Sequence, residues 1–277
     1  MQPFEQSALD EILDRGWVKY AQWFDEIDST NDAARRSLQD SLDRPSLDRP
    51  LPSLFVAHRQ TAGRGRGGHP WWSPDGCLML TLVLPSSSLP TDSNLWGQLA
   101  LVSGLAVART AVHSLPDKIV QLKWPNDVFA GGRKLAGILI ESAPLVRQNS
   151  QAQRAAGWLV GIGLNVDMDW QAAPAEVASR ATCLSSQAGR RLGLPVVLVE
   201  LIDELQQQLR SWSRGEDEWL SQWRDRCLLT GKILHVRQGP DRELIGVCEG
   251  VDTSGRLILR DEQGVQFLTT GEVLAWQ

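Results

Sequence analysis

Paired cysteines are missing from this sequence. Its four cysteines, Cys77, Cys183, Cys227 and Cys248, are scattered with no CxxC among them, which gives neither the ligand spacing of a zinc site nor a disulfide framework. Reduced thiols are the default. Long hydrophobic runs are missing too: Leu99 to Val107 is broken by Ser103 and Gly104, and nothing approaches the ~20 apolar residues of a membrane-spanning helix. The first residues, MQPFEQSALDEILDRGW, are acidic and amphipathic, whereas a secretory signal is basic and then apolar. A cytoplasmic protein with no membrane partner is therefore expected. Positive charge is in deficit as well, with 28 Lys+Arg against 33 Asp+Glu and a net charge of −5. That balance argues against sequence-independent nucleic-acid binding, which needs many cations along a phosphate backbone, and leaves room for a local basic pocket.

Familiar catalytic signatures are absent in turn. There is no GxSxG elbow, and GRGRGG lacks the Lys-Ser/Thr that would complete a phosphate-binding P-loop. The four histidines, His58, His69, His113 and His235, show no metal-ligand spacing, and each is more readily a structural residue than a ligand. No metal site is expected.

What is present reads as a globular chain. Of 277 residues, 42% are hydrophobic and 22% charged, enough to bury a sizeable core. A short amphipathic helix is expected over 7–15, and WFDEIDSTNDAARRSL reads as a strand end followed by a helix starting at Ser29 or Thr30, both good N-caps. SLDRP at 41–45 recurs at 46–50 and reads as a surface insertion. LFVAHRQ and CLMLTLVLP read as strands framing a glycine-rich loop, and 94–114 as a helix capped by Ser93. Next come a strand, a turn at Pro125-Asn126-Asp127, a short strand, a Gly131-Gly132 hairpin and a long strand from Lys134 to Ser142. WLVGIGLNV is a further buried strand, 167–180 a mobile loop, and 195–212 and 216–228 helices. Beyond Thr230 four short apolar runs separated by glycine turns suggest a small β-barrel or an open meander. The fold class is α/β, with a mixed central sheet flanked by helices and an all-β tail.

Three segments invite chemistry. TAGRGRGGHPWWSP, 61–74, sets Arg64 and Arg66 among four glycines. It is either a solvated turn or a loop whose amides and guanidinium groups wrap an anion, one arginine gripping ligand while the other anchors the loop. In KWPNDVFAGGRKLAGIL, Lys134 opens an apolar strand. Either its head enters a polar cavity or it snorkels from a strand edge to water. GIGLNV offers glycines for close backbone approach and, at Asn165, an amide able to match an adenine edge.

Together, STN at 29–31, QTAGRGRGG at 60–68 followed by WWSP, KWPND at 123–127, RKLAGILIE at 133–141 and GIGLN at 161–165 resemble the biotin-protein ligases in order and spacing. The resemblance implies a catalytic domain over 1–230, built like that of class II aminoacyl-tRNA synthetases, and an SH3-like β domain over 231–277. It implies formation of biotinyl-5′-AMP from biotin and ATP, taken with Mg2+ as MgATP, then transfer to a lysine of the biotin carboxyl carrier protein of acetyl-CoA carboxylase by a monomer or homodimer.

By that resemblance Ser29, Thr30, Asn31 and Gln60 lie at the biotin ureido group, and Arg64, Gly65 and Arg66 close over carboxylate and adenylate. Lys134 bridges carboxylate and α-phosphate, Asp127 orients or deprotonates the acceptor lysine, and Gly137 permits close approach. Trp71 helps form the lid, and Asn126 and Asn165 lie at the nucleotide. Gly67, Gly68, His69 and Pro70 make this loop less basic than in some relatives, which puts more weight on Arg66. Only 28 residues precede Ser29, too few for the winged helix-turn-helix of ligases that double as repressors, so a monofunctional ligase without a DNA partner is expected. The competing expectations are a lipoate or octanoate ligase or transferase of the same fold, and a non-catalytic biotin or nucleotide sensor.

Overall fold

The computed structural model describes residues 3–43, 50–144 and 156–277, so most of the SLDRP repeat, at 44–49, lies outside the described residues. Helix α1 (Pro3–Asp14) starts four residues before the expected helix and buries Ala8, Leu9 and Ile12 along one face. Strand β1 (Tyr20–Ile27) leads into α2 (Thr30–Asp43), and β2 (Ser53–Gln60) returns parallel to β1. The Glu5 carboxylate, almost wholly buried on α1, meets His58 Nε2 at 2.8 Å and ties that helix to β2.

Strand β3 (Cys77–Pro85) is buried along nearly its whole length. Its continuous apolar run follows from its place at the middle of the molecule, because a strand covered on both faces has no polar side to alternate. One cover is α2, which packs Ala33, Ala34 and Leu38 on Phe55, Val83 and Leu159. The other is α3 (Leu99–Ser114) with the main core.

The expected Ser93 cap is displaced by one residue. Asp92 accepts from the Asn94 amide at 2.9 Å and starts a 3-10 turn, Ser93–Gln98, that runs into α3. Turn and helix together span 22 residues and contain an 18-residue window with a mean hydropathy of 1.3, long and apolar enough to cross a membrane by length and composition. This corrects the expectation that no segment approaches such length. The helix is apolar because most of it is buried against the sheet and its helical neighbours, with Ser103 and Thr110 donating to carbonyls four residues back.

Strands β4 (Val120–Lys123), β5 (Asp127–Ala130), β6 (Arg133–Pro144) and β7 (Ala156–Asn165) complete a seven-stranded mixed sheet of order β1-β2-β3-β7-β6-β5-β4. The segment expected as a loop over 167–180 is partly structured, with a 3-10 turn at Trp170–Ala172 and helix α4 (Ala175–Arg180). The sequence reading also missed α5 (Leu184–Ala188). Helix α6 (Leu194–Ser213) buries Val197, Leu198, Leu201, Ile202, Leu205 and Leu209, and α7 (Glu218–Asp225) follows.

The tail forms a second, antiparallel sheet of β8 (Ile233–Arg237), β9 (Glu243–Val251), β10 (Leu257–Asp261), β11 (Gly264–Leu268) and β12 (Glu272–Trp276), in the order β11-β10-β9-β8-β12. VQFLTTGEVLAW is thus two strands. The chain breaks at Gly271, where a Cβ would lie 3.0 Å from Val236 and 3.3 Å from the Arg237 carbonyl. The two sheets share one hydrophobic core. Trp124, 1% exposed, donates to the Gly255 carbonyl at 3.2 Å, and Arg224 donates to the Val251 carbonyl at 2.9 Å.

Candidate active site

Where β1 ends and α2 begins, Ser29, Thr30 and Asn31 are all buried. Gln60, at the end of the neighbouring strand, accepts from the Thr30 amide at 2.7 Å and from its hydroxyl at 3.0 Å. Thr81, fully buried on β3, donates to Asn31 Oδ1 at 2.5 Å, and its hydroxyl lies 2.9 Å from that of Thr30. The other end of the Asn31 amide donates to Glu141 at 2.7 Å. This is a buried set of hydroxyls and amides held in fixed orientation, and such a network specifies geometry when its members are satisfied.

The glycine-rich segment is folded back on itself. Arg64 bridges to Pro70, Gly65 donates to the His69 carbonyl at 2.7 Å, and Gly67 and Gly68 carry φ of 66° and 78°, the left-handed region that favours glycine. Its two arginines diverge. Arg64 forks onto Asp32 at 2.5 and 2.7 Å and reaches Glu141 at 3.3 Å, so that its pKa is raised, chiefly by Asp32. Arg66 makes a 3.3 Å bond to the Gly271 carbonyl, and no carboxylate lies within ion-pair distance of it among the described residues. Burial lowers its pKa, against the pull of Asp127 and Glu272. Arg64 is the anchor, and Arg66 is left with capacity for an anion.

A β-bulge decides where Lys134 points. Asp127 pairs with Gly137 and Val128 with Ala136, but Phe129 pairs with Lys134, so Leu135 has no opposite residue. In a regular strand Lys134 would share a face with Ala136 and Ile138, which are buried in the core. The extra residue moves it to the face of Asp127 and Gly137. Its backbone carbonyl is fixed by the Thr182 amide at 2.9 Å. Lys134 Nζ then lies 2.6 Å from Asp127 Oδ1 and 5.3 Å from the Trp71 ring centre. The Asp127 contact is close but off the hydrogen-bond direction, leaving Oδ1 without a hydrogen bond. Asn126 fixes the preceding turn by donating to the Ile138 carbonyl at 2.8 Å.

Three glycines form the cleft floor. Gly137 faces Gly163 across β6 and β7, with Gly161 two residues along. A Cβ at Gly163 would lie 2.6 Å from the Trp71 indole, and one at Gly161 would lie 2.4 Å from Asn31 Oδ1. Gly163→Val is therefore expected to expel Trp71 from the floor. A changed, more solvent-exposed tryptophan emission relative to the parent, with far-UV circular dichroism retained, checks this; an unchanged emission contradicts it.

Of the residues expected from sequence, Ser29, Thr30, Asn31, Gln60, Arg64, Gly65, Arg66, Trp71, Asn126, Asp127, Lys134 and Gly137 line one cavity of about 550 Å³. Asn165 does not. It is buried on the same face two residues beyond Gly163, its amide donating to the Thr182 carbonyl at 2.9 Å and its oxygen facing the Cys77 thiol at 3.7 Å. Its amide is already engaged by protein, so a role at the nucleotide is not visible in this arrangement.

The sequence reading passed over Lys123, Arg237 and Glu272, which also line the cavity. Lys123 is largely buried, with Nζ 4.0 Å from Asp127, and burial lowers its pKa. Its signal was a lysine next to the buried tryptophan of KWPND; Arg237 and Glu272 carried none. The cavity thus joins a neutral polar end to an end rich in cations, with no activated nucleophile, which suits holding anions side by side.

The model of the biotin/lipoate A/B protein ligase family matches residues 23–163. The chain belongs to this family. It is 31% identical over 225 residues to the biotin--[acetyl-CoA-carboxylase] ligase of Mycobacterium tuberculosis, covering 80% of this chain and 78% of that one. It is 34% identical over 224 residues to the ligase of the same name from Paracoccus denitrificans, covering 79% and 88%. The solved biotin protein ligase of Aquifex aeolicus in complex with biotin and ATP superposes with a TM-score of 0.75 at 25% identity, covering 94% of this chain and 99% of that one. The matched family region runs from β1 into β7 and so contains the polar network, the arginine loop and the bulge, while the Aquifex structure extends the likeness through the second sheet.

Proposed function

We propose that this member of the family is a biotin-[acetyl-CoA-carboxylase] ligase, with biotin, MgATP and a biotin carboxyl carrier protein as its substrates. In the first step a biotin carboxylate oxygen attacks the α-phosphorus of ATP, the bond to the β-phosphate bridging oxygen breaks, and pyrophosphate leaves with the electron pair. No base is needed, since a carboxylate is already ionised at pH 7. In the second step the neutral acceptor amine attacks the acyl carbon, AMP leaves, and the amine proton is released.

The observation that carries this reading is the pairing, in one cavity, of the buried Thr30–Gln60–Asn31 network with Lys134 held at 2.6 Å from Asp127. The network offers donors and acceptors to a ureido group. Lys134 screens two anions that would otherwise repel, and Arg66 covers the adenylate. Asp127, beside both Lys134 and Lys123, orients the incoming acceptor amine.

Lipoate and octanoate share the carboxylate but lack the ureido group, so the buried amide network favours biotin. Four free cysteines, three of them buried, suit a reducing compartment, and the cytoplasm is proposed. Pyrophosphate is expected on adding biotin to protein and MgATP, much less on adding lipoate, and labelled biotin should then appear on a carrier domain. Pyrophosphate without carrier labelling would leave an adenylating sensor, and release with lipoate alone would reverse the substrate assignment.

A further inference from the structure

Helix α1 and the first two strands bring together three side chains that the proposed reaction does not use. Strands β1 and β2 run parallel with Phe24 beside Ala57 and Glu26 beside Arg59, so Asp25 and His58 hold neighbouring positions in the same register. Side chains alternate along a strand. Trp23 and Val56, two residues earlier on each strand, pack into the main core with Ala8, Leu9 and Ile12 of α1, and Asp25 and His58 therefore face the same way. From α1 the Glu5 side chain, on a residue 5% exposed, reaches His58 Nε2 at 2.8 Å. One oxygen of each carboxylate and one ring nitrogen all lie within 4.8 Å of one another. The Trp23 ring backs the imidazole, with 5.2 Å between ring centres. The three groups come from three segments, so no ligand spacing in the sequence announced them.

An ion pair between helix and sheet needs only Glu5 and His58. Asp25 adds a second carboxylate close to the first, where like charges disfavour each other. With the imidazole neutral the three groups carry two negative charges, which one divalent cation brings to zero while supplying the buried Glu5 oxygen with a full counter-charge. The neighbouring Arg59 alternates to the opposite face and is spent on Asp75 at 3.0 Å and Glu26 at 3.7 Å. One imidazole nitrogen with two carboxylate oxygens is a donor set for divalent transition ions such as Zn2+, whereas Ca2+ and Mg2+ take oxygen ligands. Asp25 is exposed, which leaves water free to complete a four-coordinate shell.

We propose that Glu5, Asp25 and His58 form a divalent transition-metal site, with Zn2+ as its ion, that fastens α1 to β1 and β2. None of the three lines the active cavity, so the ion braces the fold and does not touch substrate. It acts on the two strands that deliver Thr30 and Gln60 to the polar network, since β1 ends at Ile27 and β2 at Gln60 itself.

The test is calorimetric titration of the chelator-treated protein with Zn2+, with Mg2+ and Ca2+ in separate runs, alongside thermal melts with and without Zn2+. One Zn2+ should bind, and Mg2+ and Ca2+ should not at the same concentrations. At a hundredfold excess over the dissociation constant, Zn2+ should raise the melting temperature by roughly 5 °C. Asp25→Asn is a surface change that keeps the Glu5–His58 pair, so folding is little affected. It should weaken Zn2+ binding by at least the roughly 10- to 100-fold that loss of an outer-shell partner costs, and it should remove the thermal shift. His58→Gln should do the same. Co2+ in place of Zn2+ should give visible absorption without a thiolate charge-transfer band, which separates this site from metal held by a cysteine. Absence of Zn2+ uptake, unchanged affinity in Asp25→Asn, or a thiolate band each overturns the proposal. None of these readouts uses biotin, ATP or a carrier domain, so the result stands apart from the activity proposed above.

Discussion

Lys134→Ala is expected to slow biotinyl-adenylate formation by roughly 100- to 1,000-fold, the usual loss for one preorganised electrostatic donor. The lysine head is the nearest cation to Asp127, at 2.6 Å, and the alanine variant leaves carboxylate and α-phosphate facing each other without a screen. A lone strand-edge lysine would cost the fold almost nothing. Here its removal strips Asp127, 14% exposed, of its closest counter-charge, leaving Lys123 at 4.0 Å. A stability loss of about 1–2 kcal/mol is therefore expected, between the values for exposed and fully buried pairs. Lys134→Arg should rescue poorly, because a planar guanidinium cannot occupy the volume of a compact ammonium beside Asp127 and Trp71. Single-turnover adenylate formation and a thermal melt for each variant check these expectations. Near-normal adenylation in Lys134→Ala would show that the lysine serves only the strand.

Arg66→Gly is expected to form adenylate and then lose it. Arg66 is held by one 3.3 Å bond to the Gly271 carbonyl and has no ion-pair partner among the described residues, so its charge is available to the mixed anhydride. Arg64, in contrast, is committed to Asp32 and Glu141, and the loop should keep its fold when only Arg66 is removed. Free biotinyl-AMP acylates exposed lysines without selection. The ratio of label on a bystander protein to label on the carrier should rise by roughly tenfold or more, the equivalent of losing a charge-assisted contact of at least 1.4 kcal/mol. An unchanged ratio at matched turnover would contradict this role. The same change at Arg64 should instead damage the loop itself, visible as faster proteolysis between Gly65 and Gly68.

Most of the architecture was legible because its elements carry local signals. CLMLTLVLP has the composition of a strand buried on both faces, and α6 shows its apolar stripe at helical spacing. The helices α4 and α5 were harder to read, because they are only six and five residues long and their caps make no side-chain bond. Within the site, STN, Gln60, the glycine loop and Lys134 could be named from motif order alone. Sequence could not say which of the two arginines anchors the loop, since that depends on Asp32 and Glu141, separated from Arg64 by 32 and 77 positions. Nor could it reveal Arg237 and Glu272, which reach the cavity through the packing of one sheet against another.

The unpaired Leu135 has a bearing on how this protein can change. Substitutions in the hairpin between Ala130 and Ala136 alter one side chain at a time, but removing one residue between Ala130 and Lys134 so that the bulge closes would set Leu135 opposite Phe129 and turn the Lys134 ammonium toward Ala136 and the packed interior, whereas removing Leu135 itself would leave Lys134 opposite Phe129. Chain length in this stretch is accordingly under tighter constraint than chain chemistry. Single-residue deletions across 131–133 should be almost uniformly inactive, whereas conservative replacements of Leu135 that keep the count should retain activity.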